Sequence, residues 1–348
     1  MQTHAYGTQG PDQPIAPLTI ERRAVGADDV LIEVLFSGIC HSDIHQARGE
    51  WGNSHYPMVP GHEIVGRVRE VGANVKRFKV GDMAGVGCMV DSCRRCSPCH
   101  DHHEQFCDKG PAFTYNSTEM DRSTRTYGGY SSHVVVTERF ALKVPETLDP
   151  AGAAPLLCAG ITTYSPLRRW NCKKGDKVAV VGLGGLGHMA VKLAAAMGAD
   201  VTMISTSRSK EADAARLGAT SFALSSDPAT FKQLAGKFDL IIDTISVEHD
   251  YGAYLGLLRT FGTMVIVGVP EKPVSFHAFS VIAGNKSFVG SSIGGTEETQ
   301  EMLEFCAKHN IVSDIEVIKA SDINNAYARM MKNDVRYRFV IDAASFAS

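Results

Sequence analysis

A chain of 348 residues is too long for one compact core, so two domains are expected. With 44% hydrophobic and 21% charged residues, the composition is that of a globular protein and excludes a disordered one. A net charge of −3 offers no general attraction for nucleic acid or anionic lipid. No apolar run approaches the roughly 18 residues that span a bilayer.

The opening stretch, MQTHAYGTQGPDQPIAPLTI, lacks a basic start followed by an apolar core. No export signal is expected, and the reducing cytoplasm is the expected compartment. Four runs then read as strands: Asp28–Gly38, Glu63–Gly72, Gly81–Gly87 and Ser132–Pro145, all rich in β-branched residues and bounded by Gly, Pro or Asp. Their glycine spacing predicts a strongly bent, barrel-like β unit. After about Asp149 the pattern changes. Strands at Lys177–Gly182, Val201–Ser205, Phe238–Ile245 and Gly262–Val269 alternate with helices at His188–Gly198 and Ser209–Gly218. That alternation predicts a parallel, doubly wound α/β sheet. A helix over Thr296–His309 and a final strand in Arg336–Asp342 close the chain.

Between the first strand and helix of the α/β part sits GLGGLG: Gly182, Leu183, Gly184, Gly185, Leu186 and Gly187. In this context the GxGxxG pattern is a dinucleotide fingerprint. Gly182 allows a tight turn, Gly184 clears space for a pyrophosphate, and Gly187 lets helix and strand pack closely. Free N–H groups at the helix start then face the phosphates. The next strand separates the two nicotinamide cofactors. An NAD site ends that strand with a carboxylate, but Asp200 stands at its beginning. Ser205, Thr206, Ser207, Arg208, Ser209 and Lys210 follow its end. Hydroxyls and two cations suit a 2′-phosphate, so the expected cofactor is NADP(H).

Four of the nine cysteines lie in SCRRCSPCHDHHEQFC, at Cys93, Cys96, Cys99 and Cys107. Short CxxC steps let thiolates converge on one ion, and four thiolates close a tetrahedral zinc site. Backbone N–H groups should point at the sulfurs to offset their charge. The seven-residue last gap and the absence of a following proline speak against a ferredoxin-type cluster. Three Lys or Arg against four Asp or Glu between Cys88 and Gly110 speak against a DNA-reading module. The lobe at residues 88–110 is therefore expected to hold a structural zinc. Cys40, His62 and Cys158 would make an open Cys-His-Cys site, but their spacing alone does not join them. A cysteine in an apolar run is usually a core residue, and a lone histidine is more often structural than a ligand.

GICHSDIHQARGEW, PMVPGHEIVG, the four-cysteine lobe, APLLCAGITTYSPL and GLGGLGHMAVKLA, in that order, resemble the zinc-dependent medium-chain alcohol dehydrogenases, and within them the cinnamyl alcohol dehydrogenase branch. The resemblance runs from about residue 25 to the end of the chain. It implies a GroES-like catalytic domain over residues 1–152 and 292–348, a Rossmann domain over 153–291, two zinc ions per chain and a homodimer. Carried over position by position, it makes Cys40, His62 and Cys158 ligands of the catalytic zinc. Glu63 becomes a carboxylate beside that metal, and Asp43 the partner of the ligand histidine. Ser42 and His45 become a proton relay, with Glu50 where some members carry a further acid. Thr163, Val267, Gly268, Val269, Ser292 and Ile293 fall where the family lines the nicotinamide end. Arg338 matches a basic residue near Glu63 and the pyrophosphate. Trp51, Cys88, Phe113 and Ile293 occupy segments resembling substrate-pocket walls. The expected activity is interconversion of primary alcohols and aldehydes, aromatic or medium aliphatic, with NADP(H). Two rivals share the fold: a zinc-free quinone or enoyl reductase, and a non-enzymatic nucleotide sensor. Neither needs the open Cys-His-Cys set.

Overall fold

A computed structural model describes residues 1–347. The chain forms two compact units, Met1–Ile161 with everything from Gly294 onward, and Thr162–Ile293. The first unit opens with β1 (Gln2–Gly7) and β2 (Ala16–Glu21), an antiparallel ribbon. The long β3 (Asp29–Gly38) follows, then β4 (Ile64–Val71) and β5 (Met83–Val86). The short β6 (Met89–Asp91) and β7 (Ala112–Phe113) pair on either side of the cysteine lobe. The expected strand over Ser132–Pro145 is two strands, β8 (His133–Thr137) and β9 (Leu142–Lys143). A turn separates them, with the Phe140 N–H donating to the Thr137 carbonyl at 2.9 Å, and it sends β8 to β3 and β9 to β5. Register shifts between Leu31 and Ile32 and between Val34 and Phe36 bend β3, as the barrel-like expectation required.

The second unit holds β10 (Lys177–Val181), β11 (Asp200–Ser205), β12 (Ser221–Leu224), β13 (Phe238–Asp243), β14 (Leu258–Ile266) and β15 (Ser287–Gly290). Their order is β12-β11-β10-β13-β14-β15, and every pairing is parallel. This is the predicted doubly wound sheet. Its order reverses between β10 and β13, where such folds open a ligand crevice at the strands' carboxyl ends. Val178, Val180, Ile241 and Val265 are wholly buried, which explains why these strands read as continuous apolar runs.

The chain then returns to the first unit with the helix Thr296–His309, β16 (Ile315–Ile318) and β17 (Arg338–Asp342). β17 lies antiparallel to β3 at Phe36–Gly38, so the last strand made becomes an interior strand of the first unit's sheet, between β16 and β3. Thr296–His309 has no capping side chain of its own at Gly295. Glu104, from the cysteine lobe, supplies it: the buried carboxylate accepts from the Thr296 N–H and hydroxyl, both at 3.1 Å. The lobe is thereby tied to an element 192 residues away.

Candidate functional site

Cys40 stands at the N-cap of helix His41–Ala47, just beyond the end of β3. Asp43, at the third helical position, reaches back so that its Oδ2 accepts from the Cys40 N–H at 2.9 Å. His62 and Glu63 immediately precede β4, and Cys158 follows the short turn Ala154–Leu157. One donor atom from each of Cys40, His62, Glu63 and Cys158 lies within 4.8 Å of the others. The residues that spacing could not join are thus brought together in one unit.

Asp43 organises this cluster. It is fully buried and accepts from four groups: the Cys40 N–H, the Gly61 N–H at 3.1 Å, His62 Nδ1–H at 3.1 Å and the Tyr130 hydroxyl at 3.3 Å. A carboxylate on Nδ1 fixes the tautomer and leaves the His62 Nε2 lone pair free, 3.3 Å from Cys158 Sγ. The Tyr115 ring stacks on His62, with centroids 5.8 Å apart. Glu63 is also fully buried; its Oε1 meets Arg338 Nη2, while its Oε2 has no hydrogen-bond partner. Burial pushes the Glu63 carboxyl up to about 7, with Arg338 opposing. A hydrogen bond from Cys158, and then His62 and Arg338, against burial, hold the Cys40 thiol well below its ordinary range. Shared bonds with Cys40 and Cys88, and burial, push Cys158 up. Two thiols, an oriented imidazole and an unsatisfied carboxylate oxygen suit a zinc ion, and the chemistry of this donor set fits no ordinary core packing.

The second cluster is Cys93, Cys96, Cys99 and Cys107. The Cys93 N–H points at Cys107 Sγ at 3.3 Å and the Asp108 N–H at Cys96 Sγ at 3.4 Å, the N–H-to-sulfur pattern expected around thiolates. The N–H groups of Arg95 and Cys96 pull the Cys93 thiol down to about 6, while burial pushes Cys99 up to about 12. Four sulfurs this close repel when ionised, and a divalent cation relieves that repulsion. This set also fits zinc.

In the second unit the glycine loop leaves β10 and enters helix Gly187–Ala196. Gly182 has φ +90°; a Cβ on Gly187 would fall 1.8 Å from the Gly182 carbonyl oxygen, so that approach requires glycine. A Cβ on Gly184 would meet nothing within 4 Å, which leaves an open cradle before the helix N-terminus. Thr244, at the end of β13, holds the loop by donating to the Val181 and Gly182 carbonyls at 2.8 and 3.1 Å. Asp200 begins β11 and bonds Thr220, away from the strand's carboxyl end. Ser205 ends β11; beyond it Ser207 bonds Ser209, Arg208 pairs with Glu211, and Lys210 donates to the Leu183 carbonyl at 2.8 Å. Lys210 thereby joins the glycine loop to the segment after β11. Gly185 and Leu186 are partly exposed within the loop, and Thr206 is exposed. Thr163 is buried, Val267 partly exposed, Gly268 buried against the Ile245 carbonyl, and Val269 exposed. Ser292 is exposed and Ile293 partly so.

His249 and Asp243 form a pair at this end of β13 that the sequence reading did not single out, with His249 Nε2 donating to Asp243 Oδ2 at 3.0 Å. Burial works against the imidazolium, but Asp243 and the Val247 carbonyl outweigh it and raise the His249 pKa. A raised folded-state pKa stabilises fully below the unfolded value, near 6.5, and that contribution fades as pH rises through the folded value. The expected result is a melting temperature that falls from pH 6 to pH 8 more in the unmodified chain than in His249→Gln, read by thermal unfolding across that range.

The relay candidates lie on one helix. Ser42 Oγ is 3.7 Å from Cys40 Sγ, His45 sits one turn on, and His45 Nδ1 contacts Glu50. Trp51 and Phe113 are 48% and 46% exposed, so neither is a core residue. Cys88, partly buried, points its Sγ at the Leu157 carbonyl 3.9 Å away, one residue before Cys158, and so adjoins the first cluster. Arg338 is buried, with Nη2 donating to the Ile39 carbonyl at 2.8 Å as well as to Glu63. Tyr115, Tyr130, Glu104, Thr244 and His249 were not singled out from sequence; no spacing distinguishes them from ordinary core or loop residues.

Residues 26–146 match the model of an alcohol dehydrogenase GroES-like domain, and residues 185–308 that of a zinc-binding dehydrogenase. The chain is 55% identical over 345 residues to NADP-dependent alcohol dehydrogenase C 1 of Mycolicibacterium smegmatis, covering 99% of both chains. A solved cinnamyl alcohol dehydrogenase from Sorghum bicolor superposes with a TM-score of 0.96 at 45% identity, covering 99% of this chain and 98% of that one. A cinnamyl alcohol dehydrogenase from Helicobacter pylori, solved with NADP(H), superposes with a TM-score of 0.92 at 44% identity over 99% of both.

Proposed function

This chain belongs to the zinc-binding alcohol dehydrogenase family, and from that premise we propose that it interconverts primary alcohols and aldehydes by hydride transfer with NADP(H). The observation that carries the reading is the convergence of Cys40, His62, Glu63 and Cys158 on one point. When bound there, zinc polarises the carbonyl or alcohol oxygen as a Lewis acid, while the nicotinamide gives or takes the hydride. A second zinc at Cys93, Cys96, Cys99 and Cys107 would be structural, because four thiolates leave no open position.

The chain's own residues do the rest. Asp43 keeps His62 Nε2 available for the ion, and Arg338 holds the buried Glu63 charge beside it. Ser42 and His45 move the proton between the reacting oxygen and solvent, with Glu50 fixing Nδ1 of the imidazole. Gly182, Gly184 and Gly187 receive the pyrophosphate. Ser205, Thr206, Ser207, Arg208 and Lys210 take the 2′-phosphate, a role supported by the absence of a carboxylate at the end of β11. Thr163, Val267, Gly268, Val269, Ser292 and Ile293 line the nicotinamide end. Trp51, Cys88 and Phe113 favour an aromatic or medium aliphatic aldehyde.

A homodimer is the assembly we propose: β15 is an edge strand of four residues, and Phe279 and Ile282 beside it in sequence are 66% and 61% exposed. The cytoplasm is the compartment we assign, since six of the nine cysteines fall in the two metal clusters, where a reducing environment keeps them available as thiolate ligands.

The test follows NADPH absorbance in the presence of cinnamaldehyde, benzaldehyde and hexanal. NADPH is expected to be consumed, NADH much more slowly. Cys40→Ala should lose turnover and one of two bound zinc ions. Full turnover by Cys40→Ala with one zinc missing would overturn the reading, and a preference for NADH would overturn the cofactor assignment.

A further inference from the structure

Helix His41–Ala47 carries His45 in its last turn, and the chain leaves it through Arg48, Gly49, Glu50, Trp51 and Gly52. Gly49 has φ +68°, which a side chain would strain, and a Cβ there would come within 3.1 Å of the Tyr56 hydroxyl. The reversal is held by the Glu50 N–H donating to the His45 carbonyl at 3.0 Å and the Gly52 N–H to the Gly49 carbonyl at 3.0 Å.

This turn lays two side chains on the same imidazole. The Glu50 carboxylate accepts from Nδ1, and the Trp51 indole stacks on the ring, with centroids 5.4 Å apart and planes inclined by 26°. The other nearby ionisable groups are Arg48, 3.8 Å from Glu50, and His41, whose ring centroid is 6.4 Å from that of His45. Burial does not account for a tryptophan that is 48% exposed, so its ring contact needs another reason.

We propose that Trp51 is a positioning residue for proton transfer, holding the His45 ring in the one plane that pairs Nδ1 with Glu50 and keeps Nε2 for exchange with Ser42. The role rests on the reading that this chain reduces aldehydes. As Ser42 passes its hydroxyl proton to the product oxygen, it regains one from Nε2 of the His45 imidazolium. The Nε2–H bond breaks and a Ser42 O–H bond forms. The neutral ring keeps its proton on Nδ1 against Glu50, and solvent returns a proton to Nε2. A ring free to turn would present Nδ1 to Ser42 about half the time and lose its carboxylate partner; the stacked indole blocks that turn.

Two arms test this. The chain has two tryptophans, so Trp170→Phe isolates Trp51 emission. An imidazole stacked on an indole quenches it, so Trp51 emission should rise in His45→Gln relative to the chain that keeps His45. This arm needs neither metal, cofactor nor substrate. In the kinetic arm, Trp51→Ala should lower kcat about tenfold, enlarge the solvent isotope effect and alter the kcat–pH profile, on top of any rise in KM from the lost pocket wall. Trp51→Phe should recover most of the rate, because a phenyl ring can also stack. Emission that ignores His45 would overturn the proposal. So would a Trp51→Ala variant that raises KM and leaves kcat and its pH profile unmoved, the behaviour of a pocket wall. No aldehyde turnover by the unmodified chain would refute the enzyme reading and this role with it, while the emission comparison would still report the stack.

Discussion

Replacing Asp43 with alanine is expected to destabilise the protein by about 3–5 kcal/mol and to weaken zinc binding at the Cys40 cluster about 10- to 100-fold. The carboxylate is fully buried and takes hydrogen bonds from two backbone N–H groups, an imidazole and a tyrosine hydroxyl. Its loss strands all four donors away from water, and each stranded donor costs about 1–3 kcal/mol if nothing replaces it. It also frees His62 to rotate or change tautomer, so Nε2 is no longer held toward Cys158. Urea unfolding gives the first effect and competition with a chromogenic chelator the second. Should Asp43→Ala not fold, Tyr130→Phe removes a single hydroxyl and is expected to lower stability and zinc affinity in the same direction by less. Asp43→Ala with unmodified unfolding and both zinc ions retained would mean that the carboxylate does not orient the histidine.

The second large effect concerns Arg338 and Glu63. Both are nearly or wholly buried; burial works against the Arg338 charge, but Glu63, together with the Cys40 and Cys158 thiols, outweighs it and holds Arg338 above its ordinary range. Removing one member of such a pair leaves the other buried without a counter-charge, so Arg338→Met should destabilise by about 3–5 kcal/mol. The double variant Glu63→Gln, Arg338→Met removes both charges and should recover most of that loss. Unfolding free energies of the two single variants and the double variant form a cycle. Additivity within about 0.5 kcal/mol would mean the two side chains do not interact.

Legibility in the sequence follows how local each feature is. The cysteine lobe spans fifteen residues from Cys93 to Cys107, and its ligands are arranged by short turns, so spacing alone carried the argument. The glycine loop was readable because strand, turn and helix are contiguous, and the roles given to Gly182, Gly184 and Gly187 match a positive φ, an open space and a carbonyl at 1.8 Å. Asp200 was correctly set aside, because the end of a strand it occupies is fixed by the run VTMIS after it. Cys40, His62 and Cys158 meet only because the end of β3, the start of β4 and the end of the turn before Cys158 come to one place, which is a property of sheet pairing. Family resemblance supplied that join; residue pattern did not. The tyrosines around Asp43 and the Glu104 cap are equally nonlocal and left no trace in spacing. The single strand expected over residues 132–145 failed for the opposite reason: the chain turns at Glu138–Phe140 without a Gly, Pro, Asn or Asp to mark the break.

The first unit is interrupted in sequence: β17 and Arg338 join β3 and Glu63 across some three hundred residues. A ribosome therefore finishes the whole dinucleotide-binding sheet before it has made the strand that completes the metal-binding half. During synthesis the nascent chain presents an unpaired edge at Phe36–Gly38 and a buried acid awaiting its cation. Truncation shortly before Arg338 should consequently yield a polypeptide that chaperones retain, even though every proposed zinc ligand is already present in it.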